Sequence, residues 1–280
     1  MRVFSYDGSF AGLLCCIERA LSGRRLPDEI TVHARAEREL FSQAQCIETD
    51  EAAARQWWSF LRSRLRPSSL QAVRQVFLSG SPQKEIIIAR YVAFALRAGP
   101  AADSYLTDER VAAAYTLARQ VGREAHRMRG LLRFQELADG RHYARIRPEH
   151  QILPLLAPYF ARRLRDRQWI IHDVGRQYAA IFDGRVWEIV AIAVSAAPQL
   201  SQEEQETAAL WQRYFQDIAV GERANARLQR QCMPRRYWEF LIELPAGKYR
   251  ASGRKEISAV HLRGMPAPRP SPETREERCG

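Results

Sequence analysis

The chain has 280 residues, of which 46% are hydrophobic, and a formal net charge of +11. This length is enough to bury one large core or two smaller ones, and the sequence has no uninterrupted apolar run of about 18 residues that would cross a membrane. The start of the chain turns polar after four residues, which predicts no secretory signal. We therefore expect a soluble, cytoplasmic protein without membrane contacts.

The positive charge is carried almost entirely by arginine. Only three of the 43 basic residues are lysines, namely Lys84, Lys248 and Lys255. Arginine is suited to bidentate contacts with phosphates and base edges. A GC-rich coding sequence explains the choice of arginine over lysine equally well, but it does not explain the excess of positive over negative charge. That excess favours a polyanionic partner.

The cysteines and histidines do not form a recognisable metal motif. The five cysteines lack both CxxC and the CxxxCxxC spacing of an iron–sulfur site, and the six histidines are scattered. No glycine-rich phosphate-binding motif occurs either. The sequence therefore predicts no metal site and no cofactor.

The first half of the chain begins with one strand and is otherwise mainly helical. RVFSYDG predicts a strand that ends in a turn at Asp7-Gly8, and Ser9 is the expected N-cap of the helix that follows. Because a helix N-terminus presents free N–H groups, Gly8 and Ser9 are a candidate anion site; a plain turn is the alternative. EITVHARAE predicts a short strand, and residues 50–127 look mostly helical.

From residue 130 the hydrophobic pattern changes to a period of two. It predicts five strands: LLRFQEL, HYARIRP, QWIIHDV, RQYAAIFDG and VWEIVAIAV. Helices are expected in ILPLLAPYFARRLRDR, from about 201 to 219, and in MPRRYWEFLIEL. The predicted fold is α+β, with a helical N-terminal half and an antiparallel sheet of about five strands packed with helices. We expect residues 1–128 and 129–245 to pack as one unit, and residues 254–280 to form a disordered tail.

The first predicted hairpin has a register that its apolar residues can fix. A three-residue loop at Asp139-Gly140-Arg141 pairs Phe134 with Ile146 and keeps the apolar residues on one face. Gly140 is then expected to be left-handed. The opposite, exposed face carries Arg133, Gln135, Tyr143, Arg145 and Arg147.

That face is predicted to bind nucleic acid, because arginines hold phosphates and an aromatic ring stacks on a base. Residues 56–74 and 219–238 are also strongly basic, and each has a net charge of +4. A solvated sheet face is the alternative. The predicted nucleic-acid-binding residues are Arg133, Tyr143, Arg145, Arg147, Arg223, Arg235, Arg236 and Tyr237.

Catalytic chemistry has weaker candidates. His172 would act as a general base if the fold brought Asp7 or Asp173 to it. A structural histidine is the alternative, and this sequence has no recognised catalytic motif.

Four stretches carry a resemblance to a known family: YDGSFAGLL at 6–14, the long string GLLRFQELADGRHYARIRPEHQILPLLAPYFARR at 130–163, WIIHD at 169–173, and residues 210–238. Together they resemble an uncharacterised bacterial family described as DNA metabolism or DNA repair proteins, over about residues 3–243. Asn225 is followed by Ala226 where that family tends to have proline, which weakens the match at one turn. The matching positions of interest are Tyr6, Asp7, Gly8, Arg133, His150, His172, Asp173, Arg235, Arg236, Tyr237 and Trp238.

The resemblance implies a DNA-lesion context without naming a reaction. Members of that family are typically encoded beside a radical-SAM protein, and some are fused to a uracil-DNA glycosylase-type domain. Three hypotheses follow. The chain is a DNA-binding accessory protein that presents DNA to a radical-SAM or glycosylase partner, an enzyme acting on a nucleic-acid base or nucleotide, or a protein-interaction module that docks through RRYWEFLIEL.

Overall fold

The computed structural model describes residues 2–23, 25–33, 44–192, 199–218 and 225–243. The chain divides into two compact units, and the boundary lies between Arg64 and Leu65. The helices that follow residue 65 therefore belong to the same unit as the large sheet. The predicted packing of the whole chain as one unit stays a prediction, and the predicted tail at 254–280 lies outside the described residues.

The first unit is a small α/β arrangement around a three-stranded parallel sheet. Its strands, in the spatial order β2-β1-β3, are β1 (Val3–Tyr6), β2 (Glu29–Val32) and β3 (Gln45–Cys46). Helices α1 (Phe10–Ser22) and α2 (Glu51–Arg64) pack against each other. The predicted N-cap is confirmed, since the Ser9 hydroxyl accepts a hydrogen bond of 2.9 Å from the Gly12 N–H.

The second unit begins with a group of helices. They are α3 (Pro67–Phe77), α4 (Lys84–Ala98), a 3₁₀ helix (Gly99–Ser104) and α5 (Glu109–Leu131). Pro67 suits the first turn of α3 because it has no N–H to leave unpaired, and Asp108 caps α5 through the Arg110 N–H. The longest helix, α5, packs against both α3 and α4.

The Asp103 carboxylate fastens these helices to one another. It accepts hydrogen bonds from Ser68 Oγ at 2.6 Å, Ser69 Oγ at 2.7 Å and Tyr91 OH at 2.7 Å. Partial burial alone would raise the pKa of Asp103, but the hydroxyl donors outweigh it and the pKa is lowered. The start of α3 is thereby tied to the middle of α4.

The large sheet of the second unit confirms the predicted α+β class and the five strands. Its strands, in spatial as well as sequence order, are β4 (Gln135–Glu136), β5 (His142–Ile146), β6 (Trp169–Asp173), β7 (Tyr178–Phe182) and β8 (Trp187–Ala191). The sheet is mixed rather than wholly antiparallel, because β5 and β6 run parallel. Helix α6 (Leu153–Arg163) connects those two strands and packs on one face of the sheet.

The predicted hairpin forms, but its register differs from the prediction by two residues. Gln135 pairs with Tyr143, and the Leu137 N–H donates to the Arg141 carbonyl, so the loop is Ala138-Asp139-Gly140. Gly140 is left-handed as predicted, with φ +81°. A shift of two keeps every side chain on its predicted face, since successive residues of a strand alternate.

The C-terminal part of the second unit contains two α-helices and one 3₁₀ helix among the described residues. They are α7 (Gln202–Asp217), α8 (Ala226–Cys232) and the 3₁₀ helix Arg235–Phe240. Ser201 precedes α7, and its hydroxyl accepts a hydrogen bond from the Glu204 N–H, as the first residue of a capping box does. Among the residues described, no helix is both long and apolar enough to span a membrane.

Candidate nucleic-acid interface

An open groove of about 590 Å³ lies along α5 in the second unit. The floor is formed by Ala118 and Gly122 of α5, and Gln75 of α3 lies on one side. A methyl group at Gly122 would approach the Gln75 amide nitrogen to 3.4 Å, so the glycine keeps this part of the groove open. Cys232, at the end of α8, also lines the groove.

The charge of the groove comes from Arg119, Arg123 and Arg127, with His126 beside them. These arginines are four residues apart, so they lie on one face of α5 at intervals of about 6 Å along its axis. Within the described part of the chain, none of the three forms an ion pair; Arg119 donates to the Tyr115 carbonyl of its own helix. The groove is therefore a cationic surface whose charges remain available to an anionic ligand.

The groove also brings together two basic stretches that are distant in sequence. Arg119–Arg127 and Cys232 are about 100 residues apart, and the short helix that ends at Cys232 also carries the exposed Arg227. Part of the basic segment predicted at 219–238 is thus placed beside α5. Arg223, another predicted member of that segment, lies outside the described residues.

The prediction that Tyr143 lies on an exposed face of the sheet is wrong. Its ring is buried with Leu137, Ile170 and Ala179, and its hydroxyl lies 2.7 Å from His172 Nδ1. Both faces of the sheet are covered here, as is usual beside a parallel strand pair. Tyr143 is therefore not in a position to stack on a base, and burial raises the pKa of its hydroxyl against the opposing charge of Arg145.

The three arginines of that face are mostly engaged by the C-terminal segment. Arg133 precedes β4 and forms a two-pronged ion pair with Glu243, at 2.7 and 3.3 Å. Arg147 lies 2.9 Å from Glu239. Arg145 is exposed, and its guanidinium lies 5.5 Å from the centre of the Phe240 ring.

Of the nucleic-acid-binding residues predicted at 235–237, some are exposed and others form contacts within the protein. Arg235 is exposed and lies over the ring of Trp238, which is itself buried. Arg236 forms an ion pair of 2.7 Å with Glu149. Tyr237 is buried, and its hydroxyl donates a short hydrogen bond of 2.5 Å to Glu124.

Glu124 joins three segments of the second unit through its buried carboxylate. Besides the Tyr237 hydroxyl it accepts from the backbone N–H groups of Glu149 and His150, at 2.9 and 2.8 Å. Burial, together with the hydrogen bond to Glu124, raises the pKa of Tyr237 to about 12, so this hydroxyl keeps its proton. The helix that carries the groove arginines is thereby fixed to residues 149–150 and to the C-terminal segment.

His150 is a structural histidine in this arrangement. Its Nδ1 accepts a hydrogen bond of 3.1 Å from the Gly80 N–H, which requires the neutral ring. Burial lowers the pKa of His150, and the charges of Arg176 and Arg236 act in the same direction. A side chain at Gly80 would meet the Glu149 carbonyl oxygen at 2.6 Å, so this close approach depends on glycine.

The catalytic candidates His172 and Asp173 do not share a pocket. They are adjacent in β6, so their side chains lie on opposite faces of the sheet, and both are buried. His172 faces Tyr143, and burial lowers its pKa. Asp173 forms a buried ion pair of 3.0 Å with Arg176 and accepts from two backbone N–H groups; burial raises its pKa while these donors oppose the shift.

The N-terminus of α1 already contains its own anion. The Asp7 carboxylate accepts from the N–H and the hydroxyl of Ser9, at 2.9 and 2.7 Å, and Gly8 adopts φ +85° in the turn between them. An external anion at Gly8 and Ser9 would meet this carboxylate, so the arrangement corresponds to the turn that the sequence left as the alternative. Tyr6 is fully buried in the core of the first unit. Among the described residues, no group of histidine, cysteine and acidic side chains could hold a metal ion.

Comparison with known protein families gives one match. Residues 82–243 match the model of a domain of unknown function, DUF4130, over more than half of the chain. The chain belongs to the DUF4130 family. The DUF4130 region contains all the lining residues of the groove except Gln75, as well as the whole of the five-stranded sheet. No curated protein and no solved structure matches the chain.

The sequence interpretation misses Arg119, Arg123 and Arg127. A signal was present, since basic residues four apart on a long predicted helix must share a face, and Glu124 is the single acid between Arg110 and Leu131. The sequence does not show that this acid is buried. That burial leaves the exposed side of the helix without an acidic residue from Arg119 to its end.

Proposed function

We propose that this DUF4130 protein is a DNA-binding accessory protein and that the groove along α5 binds the phosphate backbone. The observation that carries the proposal is the row Arg119, Arg123 and Arg127, which forms no ion pair with any residue that the structure describes, in a chain with a net charge of +11. Regularly spaced guanidinium groups bind a repeating phosphate chain independently of its sequence. The groove is thus suited to positioning DNA rather than to reading bases.

A second part of the proposal is that the protein presents this DNA to a radical-SAM or glycosylase partner. The family resemblance implies such a partner, and helix α7 supports a docking role. Its large apolar residues are all exposed, which is unusual for an amphipathic helix. They are Leu210, Trp211, Tyr214 and Phe215, followed by Ile218 one turn later.

The C-terminal segment that the sequence proposed for docking is not free for that purpose. Tyr237, Trp238 and Leu241 are buried in the second unit, so the large apolar side chains at 237, 238 and 241 pack internally. The test of docking is therefore placed on α7. Changing Leu210, Trp211 and Tyr214 to serine is expected to abolish co-elution with the adjacent radical-SAM protein while leaving DNA binding unchanged; unaltered co-elution would remove α7 from the proposal.

DNA binding is tested by fluorescence anisotropy with a labelled 20-base-pair duplex and with the corresponding single strand. The wild-type protein is expected to bind at 50 mM salt and to weaken steeply as salt rises. The triple variant R119E/R123E/R127E should lose affinity by about 100-fold. For the duplex, the slope of the logarithm of the binding constant against log salt should become shallower by about 2.7, since each of the three phosphate contacts contributes about 0.9.

A matched control separates the groove from the total charge. Arg162, Arg163 and Arg165 are exposed and form no ion pair within the described residues, so R162E/R163E/R165E changes the net charge by the same amount. This control is expected to lose far less affinity than the groove variant. Equal losses, or no binding of the wild-type protein at 50 mM salt, would overturn the proposal.

A further inference from the structure

The last described segment of the chain, residues 239–243, lies against the arginines at the edge of the sheet; we call it the strap. Glu243 receives both prongs of the Arg133 guanidinium, at 2.7 and 3.3 Å. Glu239 receives one nitrogen of Arg147 at 2.9 Å. Two carboxylates therefore occupy the places where arginines of this kind would hold two phosphates.

Between these two acids, Phe240 makes the remaining contact with the arginines. Its ring centre lies 5.5 Å from the guanidinium carbon of Arg145 and 5.8 Å from that of Arg147. An aromatic ring against a guanidinium plane is also how arginine receives an unstacked base. The strap thus repeats the chemistry of a short single strand, with an anion, a flat ring and a second anion.

We propose that Arg133, Arg145 and Arg147 form a second nucleic-acid surface, for a single-stranded segment, which the strap occupies in the resting protein. This inference rests on the proposed DNA binding and adds a way in which the protein regulates that binding. A tethered competitor acts at a high effective concentration, so DNA reaches the second surface only when it displaces the strap. The groove along α5 remains open throughout and supplies the first contact.

The contacts of the residues directly before the strap determine the point at which the strap could detach. Tyr237 and Trp238, directly before it, are buried and joined to the body through Glu124 and the Met233 carbonyl. Glu239 is exposed, whereas Leu241 and Glu243 are buried. Detachment after Trp238 would expose Leu241 and Glu243, but it would leave the contact of Tyr237 with Glu124 of α5 in place.

The alternative is that the same ion pairs merely fasten the end of the domain. The two alternatives predict different changes in DNA affinity when Glu239 and Glu243 are neutralised. If the acids only fasten the chain, neutralising them leaves DNA affinity unchanged; if they compete with DNA, neutralising them strengthens binding.

The experiment compares E239Q/E243Q with wild-type protein in the anisotropy assay on single-stranded DNA. The double variant is expected to bind about 10-fold more tightly at 100 mM salt. Its salt slope should be steeper by about 1.4, because two freed arginines each add about 0.7 on single-stranded DNA. Adding Arg147→Gln to the double variant should reverse about half of the increase in slope.

The matched control is E203Q/E206Q on α7, which removes two exposed acids and changes the net charge equally. It is expected to stay within about twofold of the wild type, as a nonspecific charge effect would be weak at this salt. If circular dichroism shows that E239Q/E243Q is unfolded, the single variant E239Q replaces it. Its exposed carboxylate can be neutralised with little cost, and about threefold tighter binding is expected.

The outcomes separate this inference from the proposed function. If the strap variants bind no more tightly than E203Q/E206Q while R119E/R123E/R127E still loses affinity, the strap is only structural and the inference fails. If neither the wild type nor the strap variants bind DNA, the proposed function fails and the inference with it.

Discussion

Two sets of arginines in the second unit differ in what surrounds them. Arg133 and Arg147 stand out in the sequence because they belong to an alternating, aromatic-bearing hairpin, yet each is paired with a glutamate. Arg123 and Arg127 are less conspicuous on a long helix, yet they form no ion pair within the described residues. The cationic character of a surface therefore depends on where the nearest carboxylates lie in the folded chain, which composition does not reveal.

The largest effect on stability is expected for a variant of α5. Arg123 and Glu124 are adjacent in this helix, but Arg123 is exposed whereas Glu124 is buried. Glu124→Gln should lower the free energy of unfolding by about 2–4 kcal/mol, because a neutral amide cannot accept from two N–H groups and a tyrosine hydroxyl as a buried carboxylate does. Arg123→Gln should change it by no more than about 0.5 kcal/mol. Urea denaturation followed by circular dichroism measures both, and similar losses would contradict the assigned role of Glu124.

A smaller effect is expected when the two arginine sets are compared directly. Arg133→Met leaves the buried Glu243 carboxylate without its partner and should cost about 1–2 kcal/mol, a value reduced by the partial exposure of Arg133. Arg127→Met removes a guanidinium that has no carboxylate partner in the described part of the chain and should be nearly neutral. Equal stabilities of these two variants in the same denaturation assay would mean that the Arg133 pair contributes nothing.

The smallest effect concerns pH and the buried His172. Burial lowers the pKa of His172 in the folded protein below its ordinary value of about 6.5. The unfolded chain therefore takes up this proton first as the pH falls, so the free energy of unfolding should decrease below about pH 6.5. His150 is also buried with a lowered pKa and contributes to the same loss. His172→Asn, which keeps an acceptor for Tyr143, should therefore reduce the dependence in thermal melts between pH 7.5 and 5 and leave the part that is due to His150.

The exposed His126 provides the control for that measurement. His126→Asn removes a histidine from the groove without touching the sheet, and the pH dependence of the melting temperature should remain. A wild-type profile that is flat below pH 6.5 would show that the buried imidazole is not desolvated as the geometry requires.

Much of the fold follows from local patterns in the sequence. Alternation locates the five strands after residue 130, and Ser9 is recognisable as a cap because serine before an apolar run has few other roles. No local pattern in the sequence indicates that β6 runs parallel to β5. Still, the roughly 20 residues between β5 and β6 include a helix, and such a connection permits a parallel pair.

The candidate site is less accessible to sequence reasoning. The spacing of Arg119, Arg123 and Arg127 is visible in the chain, but the absence of ion pairs to them among the described residues is not. The pair of Arg133 and Glu243 joins residues 110 positions apart, and no local pattern indicates it. The burial of Tyr143 has a similar cause, since Leu137, Ile192 and Leu200 pack on a face that alternation alone assigns to solvent.

The carboxylate of Glu124 has a consequence for how this family can vary. Three partners from distant parts of the chain converge on it, and a replacement at this one position would leave a tyrosine hydroxyl and two backbone donors without acceptors. Positions 124 and 237 are therefore expected to covary among DUF4130 sequences, so that a relative with an apolar residue at the first has phenylalanine at the second.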